Sequence, residues 1–454
     1  VIYDLIVIGS GPAGARAAIS ASRDGKKVAL IEKYPKPGGS SVHWGTIPSK
    51  SFRESVYRWS LGSVSKKVEQ PDIKRLLERR NRVIAEETRV VTEKLKSHNI
   101  TLIQGHARLV SENEVEISSK RGKEKIKGEF IFIAVGARPV APAHLPVDGK
   151  RIFDSDTILD LPEIPKSLVV LGAGIIGCEY ASIFSTARTK VHLVDRRDEI
   201  LASVDREIVQ HLTERFREQK MEILLETQAT KLEVKTHGVK VHLASGKQIN
   251  TDAVLVALGR CGNIEGLGLE EVGIDRDERG LIQVDKHFRT SVPNIYAIGD
   301  VIGAPALAAT GAEQGSIASS HVFGGKRAMP KNFPYGIYTI PEISMVGLTE
   351  NEARSRKLDF VVGRAYYRDT ARGQIIGDNL GMLKLLVDRK TSKLIGIHIM
   401  GDAAANLTHI GMAVMDLGGD ITYLAKTIFN YPTLAEAYKW AAFDAIKELK
   451  SGKK

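Results

Sequence analysis

"YDLIVIGSGPAGARAAISASRDGKKVALIEK", Tyr3 to Lys33, starts as an apolar strand and turns through Gly-x-Gly-x-x-Gly. It continues as a helix and closes on a second strand that ends in an acid. The glycines are Gly9, Gly11 and Gly14, and the acid, Glu32, lies 18 residues beyond the third (32 minus 14). A single glycine motif is a weak signal. Working outward, "KSLVVLGAGIIGCEYASIFSTARTKVHLVDR", Lys166 to Arg196, repeats the whole pattern with Gly172, Gly174 and Gly177. Asp195 again stands 18 residues past the last glycine (195 minus 177). Two copies with the acid at one offset are a strong signature of dinucleotide binding. The first glycine makes the tight turn, the second lets backbone approach a pyrophosphate, and the third lets helix pack on strand. The pyrophosphate then sits at the positive helix N-terminus, and the acid takes the ribose hydroxyls. Pro12 falls near the first helical turn, where its missing N–H costs little. Two such folds imply two dinucleotides, or one dinucleotide and a flavin.

Further segments order the chain. "FIFIAVGARP" (Phe130–Pro139) and "DAVLVALGRCGN" (Asp252–Asn263) read as strands flanking the second fold. "VPNIYAIGDVIG" (Val292–Gly303) is another strand, ending in Gly-Asp ahead of a helical run. A buried strand whose terminal Asp300 meets a helix start suits a ribityl chain. The order suggests a first domain that is interrupted by the second and completed after it. Beyond Pro330, strand-like alternation and then helical runs indicate a separate α+β domain. The expected architecture is α/β, with two Rossmann-like dinucleotide-binding domains and a C-terminal α+β dimerisation domain. The expected division is a first domain over 1–150 and 277–330, a second over 151–276, and a third over 331–454.

Composition bounds the function. The chain has 454 residues, too many for one core. Its net charge of +11 suits anionic ligands such as dinucleotides. The basic residues are scattered or sit in short runs, "SKRGKEKIKG" (Ser119–Gly128) and the terminal "KELKSGKK", read as a solvated turn segment and a tail. That pattern argues against nucleic acid. The two cysteines, Cys178 and Cys261, have neither disulfide-framework nor metal spacing, so no metal is expected and a reducing compartment fits. The N-terminal apolar run lacks a basic leader and breaks at glycine after eight residues, as a first strand does. No apolar stretch approaches the roughly 20 residues of a membrane span. The expected location is the cytoplasm, away from membranes.

"GGSSVHWGTIPSK", Gly38 to Lys50, has the look of an active-site segment. Together with "GSGPAG", "GAGIIGCEYAS", "AIGDV" and "YTIPEISMVGLTE", it carries a resemblance over nearly the whole length. The chain resembles the pyridine nucleotide–disulfide oxidoreductases, flavoproteins of the lipoamide dehydrogenase and glutathione reductase type. In that family the first fold holds FAD, the second NAD(P)H, and the C-terminal domain makes a homodimer. The family's redox cysteines would stand at Ser41 and Thr46, and its base histidine at Tyr431. A nucleophile that takes electrons from flavin needs a low-pKa sulfur, so disulfide reduction is excluded. Within the family the chain is similar to the soluble, Si-specific pyridine nucleotide transhydrogenases, in "HWGTIPSK", "GIYTIPEIS" and "FNYPT". These usually keep one cysteine at the position of Ser41, which this chain lacks.

The resemblance implies ping-pong hydride transfer from NADPH through FAD to NAD+ at one nucleotide site, needing no dithiol. It assigns Lys50 a place beside flavin N5 and Glu179 as its partner. It also assigns flavin contacts to Gly39, Thr46, Ala107, Gly136, Gly299, Asp300 and Ala308, and a nucleotide contact to Gly259. His43 and Trp44 are read as loop packing, and Tyr431 as filling a dimer interface with a polar contact to Glu436. In the second fold Asp195 is an NAD-type feature, while Arg196 and Arg197 suit a 2′-phosphate. The expected partners are NADPH and NAD+ as substrates and a second copy of the chain, with larger assemblies left open. A dithiol-free NAD(P)H oxidase, or a quinone or dye reductase, is the main alternative. A flavoprotein without turnover is a second.

Overall fold

The structure, a computed structural model, describes residues 2–62 and 70–451. In the first sheet the strands run in the order 101–104, 28–32, 2–8, 122–133, 114–119 and 106–109, with Ile295–Ala297 also pairing to 122–133. The strand Gly122–Ile133 serves two structures. Its first half pairs antiparallel with Glu114–Ser119, and its second half runs parallel between Ile2–Ile8 and Ile295–Ala297. Leu5, Val7, Leu30 and Phe132 are fully buried there, as the central strands of a parallel sheet covered on both faces must be.

The second sheet is wholly parallel, in the order 222–224, 190–194, 167–171, 253–256 and 152–154. The chain then returns with Ile295–Ala297 to the first sheet, so the first fold is interrupted and completed in space. Where it leaves and where it returns, a short antiparallel ribbon joins Ala137–Pro139 to Arg260–Gly262. This corrects the expectation of unbroken strands over Phe130–Pro139 and Asp252–Asn263. Gly136 (φ +71°) and Gly259 (φ +116°) take left-handed backbone, which breaks each strand and re-aims its end.

The C-terminal unit is a five-stranded antiparallel sheet in the order 335–337, 343–347, 394–400, 382–388 and 360–366. Helices Ala404–Asp416 and Glu436–Ser451 pack on it. Lys447–Ser451, expected as part of a tail, are the end of that last helix, and 452–454 lie outside the described residues. The buried Lys384 ammonium fastens this unit to the second fold. It reaches Asp205 at 2.8 Å, Glu207 at 2.9 Å and Glu350 at 2.7 Å. Asp205 also caps the helix Arg206–Glu218. No helix among the described residues is long and apolar enough to cross a membrane.

Candidate functional site

The two glycine motifs fold alike to the level of single atoms. Gly9 and Gly172 both have left-handed φ, +102° and +107°. A side chain on Gly14 would strike the carbonyl oxygen of Gly9, and one on Gly177 the carbonyl oxygen of Gly172. Around Gly11 and Gly174 there is open space instead, with nothing near but the Arg197 guanidinium, 3.9 Å from where a Gly174 side chain would start. Each loop thus presses helix onto strand at its ends and leaves its middle free for a ligand.

Glu32 is 5% exposed and accepts from the Ser10 N–H (3.0 Å), the Ser10 hydroxyl (2.5 Å) and the Tyr34 N–H (3.0 Å). The Ser10 hydroxyl in turn accepts from the Gly38 N–H at 3.0 Å, which ties the Gly38–Gly39 turn onto the first loop. A side chain on Gly39 would sit 2.8 Å from the Gly11 Cα. On the other flank, a side chain on Gly299 would lie 3.0 Å from the Ala13 Cβ, and the Gly299 N–H donates to Gln314 at 2.7 Å. Three backbone turns therefore close around the start of the helix Pro12–Arg23. Asp300 stands beside them, its carboxyl pushed up by burial and drawn back only in part by Arg260. Among the described residues that carboxyl makes no hydrogen bond. A backbone cradle next to an unpartnered acid fits a pyrophosphate joined to a hydroxyl-rich chain. Ala308 opens the helix Ala308–Val322 nearby, and Gly136 carries a carbonyl bonded to the Asn263 N–H. Ala107 lies in the strand His106–Leu109 with its side chain in the core, which leaves its backbone alone as a possible contact.

Thr46 begins the helix Thr46–Gly62, and Lys50 lies one turn in. The Lys50 ammonium reaches Glu179, on the helix Ile175–Thr186 of the second fold, at 2.8 Å. The structure thus brings together two residues 129 apart in sequence, the carboxylate 8% and the lysine side chain 27% exposed. His43 bonds the Pro37 carbonyl at 2.9 Å, and Trp44 packs edge-on against Tyr34 at 4.7 Å. Cys178 brings no reactive sulfur to this site. Burial and the nearby Asp195 charge raise the Cys178 thiol far above its ordinary value, and it donates to the Ala173 carbonyl. Tyr431 is 74% exposed and, among the described residues, makes no hydrogen bond to Glu436.

Asp195 is as deeply set as Glu32, at 6% exposed, but has a cation on it. It accepts from the Ala173 N–H (2.6 Å), the Arg197 N–H (2.9 Å), and the Arg197 guanidinium at Nε (3.0 Å) and Nη2 (2.8 Å). Burial alone would raise this carboxyl; the Arg197 bonds and the Ala173 N–H hold it below the usual carboxylate range. Arg196 points into solvent without an ion pair among the described residues. Gly259 ends the neighbouring strand region, its carbonyl bonded to the Val140 N–H. Three contributors escaped the sequence reading: Ser10, Arg53 and Tyr338. Ser10 lies inside the glycine motif, where any residue is allowed. Tyr338 opens the quoted stretch "YTIPEISMVGLTE", but its contacts with Glu179 and Lys50, like that of Arg53 with Thr339, cross domains and leave no local signature.

The sequence matches the family described as "Pyridine nucleotide-disulphide oxidoreductase" over residues 3–315, and that family's dimerisation domain over 333–442. It is 43% identical to the soluble pyridine nucleotide transhydrogenase of Mycobacterium bovis, covering 99% of this chain and 98% of the relative. It is 41% identical to the protein of the same name in Hahella chejuensis, over 98% and 99% of the two chains. Among solved structures, the HOCl-induced flavoprotein disulfide reductase of Escherichia coli superposes with a TM-score of 0.88 at 30% identity, over 96% of this chain and 98% of that one.

Proposed function

The chain belongs to the pyridine nucleotide-disulphide oxidoreductase family, and from that premise we propose that it transfers hydride from NADPH to NAD+ in two half-reactions at one nucleotide site. It is an oxidoreductase that binds FAD and pyridine nucleotides, and its dimerisation domain supports a homodimer. FAD supplies a two-electron acceptor that takes a hydride and returns it. The rest of the work falls to the chain. The first glycine loop, Gly39, Gly299 and Asp300 hold the cofactor, with Glu32 on the ribose hydroxyls. Lys50 sets a positive charge next to the reacting ring, and Glu179 keeps that lysine in place. The loop of Gly172, Gly174 and Gly177 takes the substrate pyrophosphate on a helix N-terminus. Ser41 and Thr46 provide no thiolate, so electrons have no protein sulfur to visit.

The observation that carries this reading is the Asp195–Arg197 pair. A bare carboxylate 5 Å from a 2′-phosphate would oppose it by about 3 kcal/mol at an effective dielectric near 20. Arg197 already neutralises Asp195, and Arg196 adds a free cation beside it. Such a site accepts a ribose hydroxyl or a phosphate, as an enzyme exchanging hydride between the two nucleotides requires. The test is anaerobic stopped-flow on the yellow protein, mixed with NADPH and then with thio-NAD+. Rapid bleaching of the flavin band, followed by rapid recovery with reduced thio-NAD formed, is expected. Recovery only with oxygen or a quinone would make the protein an oxidase or quinone reductase instead.

A further inference from the structure

The C-terminal domain sends one side chain into the site described above. Tyr338 follows the strand Tyr335–Ile337, 159 residues beyond Glu179. Its backbone N–H donates to Glu179 Oε1 at 2.8 Å, while Oε2 of the same carboxylate holds Lys50. Its ring lies under the Lys50 ammonium, 5.0 Å from nitrogen to ring centroid, within the range of a cation–π contact. One residue therefore touches both members of the ion pair by different means.

The segment is itself pinned to both helices that carry the pair. The Thr339 carbonyl accepts two bonds from Arg53, at 3.3 and 3.1 Å, on the helix of Lys50. The Ile340 N–H donates to the Ser182 hydroxyl at 2.6 Å, on the helix of Glu179. Lys50 needs such a fixture. Its ammonium rides a flexible four-carbon stem and is partly open to water, so a single carboxylate leaves it free to swing. The field that a cation exerts on a neighbouring ring depends on where it stands. Among the described residues the Tyr338 hydroxyl makes no hydrogen bond, so the ring face and the backbone are the parts that act.

We propose that Tyr338 is a positioning residue for the hydride-transfer site: its π face and its N–H bond to Glu179 together fix the place of the Lys50 ammonium. This rests on the reading above that sets the flavin beside Lys50. It extends that site to the C-terminal domain, which thereby tunes the redox centre as well as pairing the subunits.

The experiment uses the full-length, FAD-loaded protein and compares Tyr338→Leu, Tyr338→Phe, Lys50→Met and the double variant Tyr338→Leu/Lys50→Met. Two quantities are read: the flavin midpoint potential by dye-equilibrated titration, and the anaerobic rate of flavin bleaching by NADPH. Tyr338→Leu should slow bleaching about tenfold, the scale of a partly desolvated cation–π contact, and make the potential more negative. Tyr338→Phe, which keeps the ring, should recover both to within about twofold. In the Lys50→Met background the leucine change should add less than about twofold, because the cation it acts through is gone. Tyr338→Met, which keeps apolar bulk without a π face, replaces the leucine variant if that one loses FAD. A leucine variant like the parent, a phenylalanine as damaging as leucine, or an equal loss in the Lys50→Met background would each overturn the proposal. If Lys50→Met alone changes neither quantity, the placement of the flavin fails and the role of Tyr338 with it. None of these readings requires NAD+ as acceptor, so a failure of nucleotide-to-nucleotide transfer is told apart from a failure here.

Discussion

Glu32 and Asp195 close the same motif at the same offset and are buried to the same depth, yet they keep different company. Glu32 accepts three hydrogen bonds, all from uncharged donors, two on Ser10 and one the Tyr34 N–H. Asp195 accepts a guanidinium fork from Arg197 besides two backbone N–H groups. Among the described residues no cation pairs with the first acid, so nothing at that place offsets it against a phosphate. The second is neutralised before any ligand arrives. In our proposal the first fold is therefore the dedicated pocket and the second the permissive one, which takes both NADPH and NAD+.

The strongest way to separate the two pockets is to damage each at the same atom. Gly14→Ala and Gly177→Ala each place a methyl group against a backbone carbonyl oxygen that cannot move aside cheaply. Gly14→Ala should give protein with little bound flavin, measured as absorbance per chain. Gly177→Ala should stay yellow but lose more than about a hundredfold in bleaching by NADPH. Loss of flavin in both would show that the folds do not divide the work.

Next comes the pair of substitutions with opposite sign. Arg197→Ala exposes Asp195 to the 2′-phosphate and should raise the KM for NADPH by about ten- to thirtyfold, leaving NADH within about threefold. Asp195→Asn frees Arg197 and should lower the KM for NADPH while raising that for NADH severalfold. Steady-state kinetics with each donor checks both. Parallel shifts for the two nucleotides would dissolve the comparison.

The smallest effect is on stability against pH. Asp195 is depressed in the folded protein, so its contribution is present above its ordinary value near 4 and is lost as pH falls through the folded value. Arg197 is half open to water, which limits the sum to about 1 kcal/mol or less. Urea unfolding of Asp195→Asn should therefore fall slightly short of the parent at pH 7 and converge with it as pH falls through the depressed folded value. A gap that widens on acidification would reverse the sign.

Both glycine loops were legible because each is local: about thirty consecutive residues carry strand, turn, helix and acid. Lys50 and Glu179 came from motif resemblance, and the helices that bear them meet through the packing of two domains. What stayed hidden depended on distance or on a choice between local options. Tyr338 opens a stretch that the sequence marked by resemblance alone, and it reaches the site through a segment bound by Arg53 and Ser182. Arg197 had two partners open to it, a ligand or its neighbour, and takes Asp195 when free. Two backbone N–H groups hold that carboxylate still. The apolar runs before Gly136 and Gly259 marked the strands, but nothing local marked the second, paired segments that follow each glycine.

The most direct measurement is a calorimetric competition on the oxidised holoenzyme between ADP-ribose and its 2′-phosphorylated form. Our account predicts one site per chain, each ligand displacing the other, with Arg197→Ala weakening only the phosphorylated one. Simultaneous binding of both, or measurable binding of only one, would contradict a single second-fold site that serves both nucleotides.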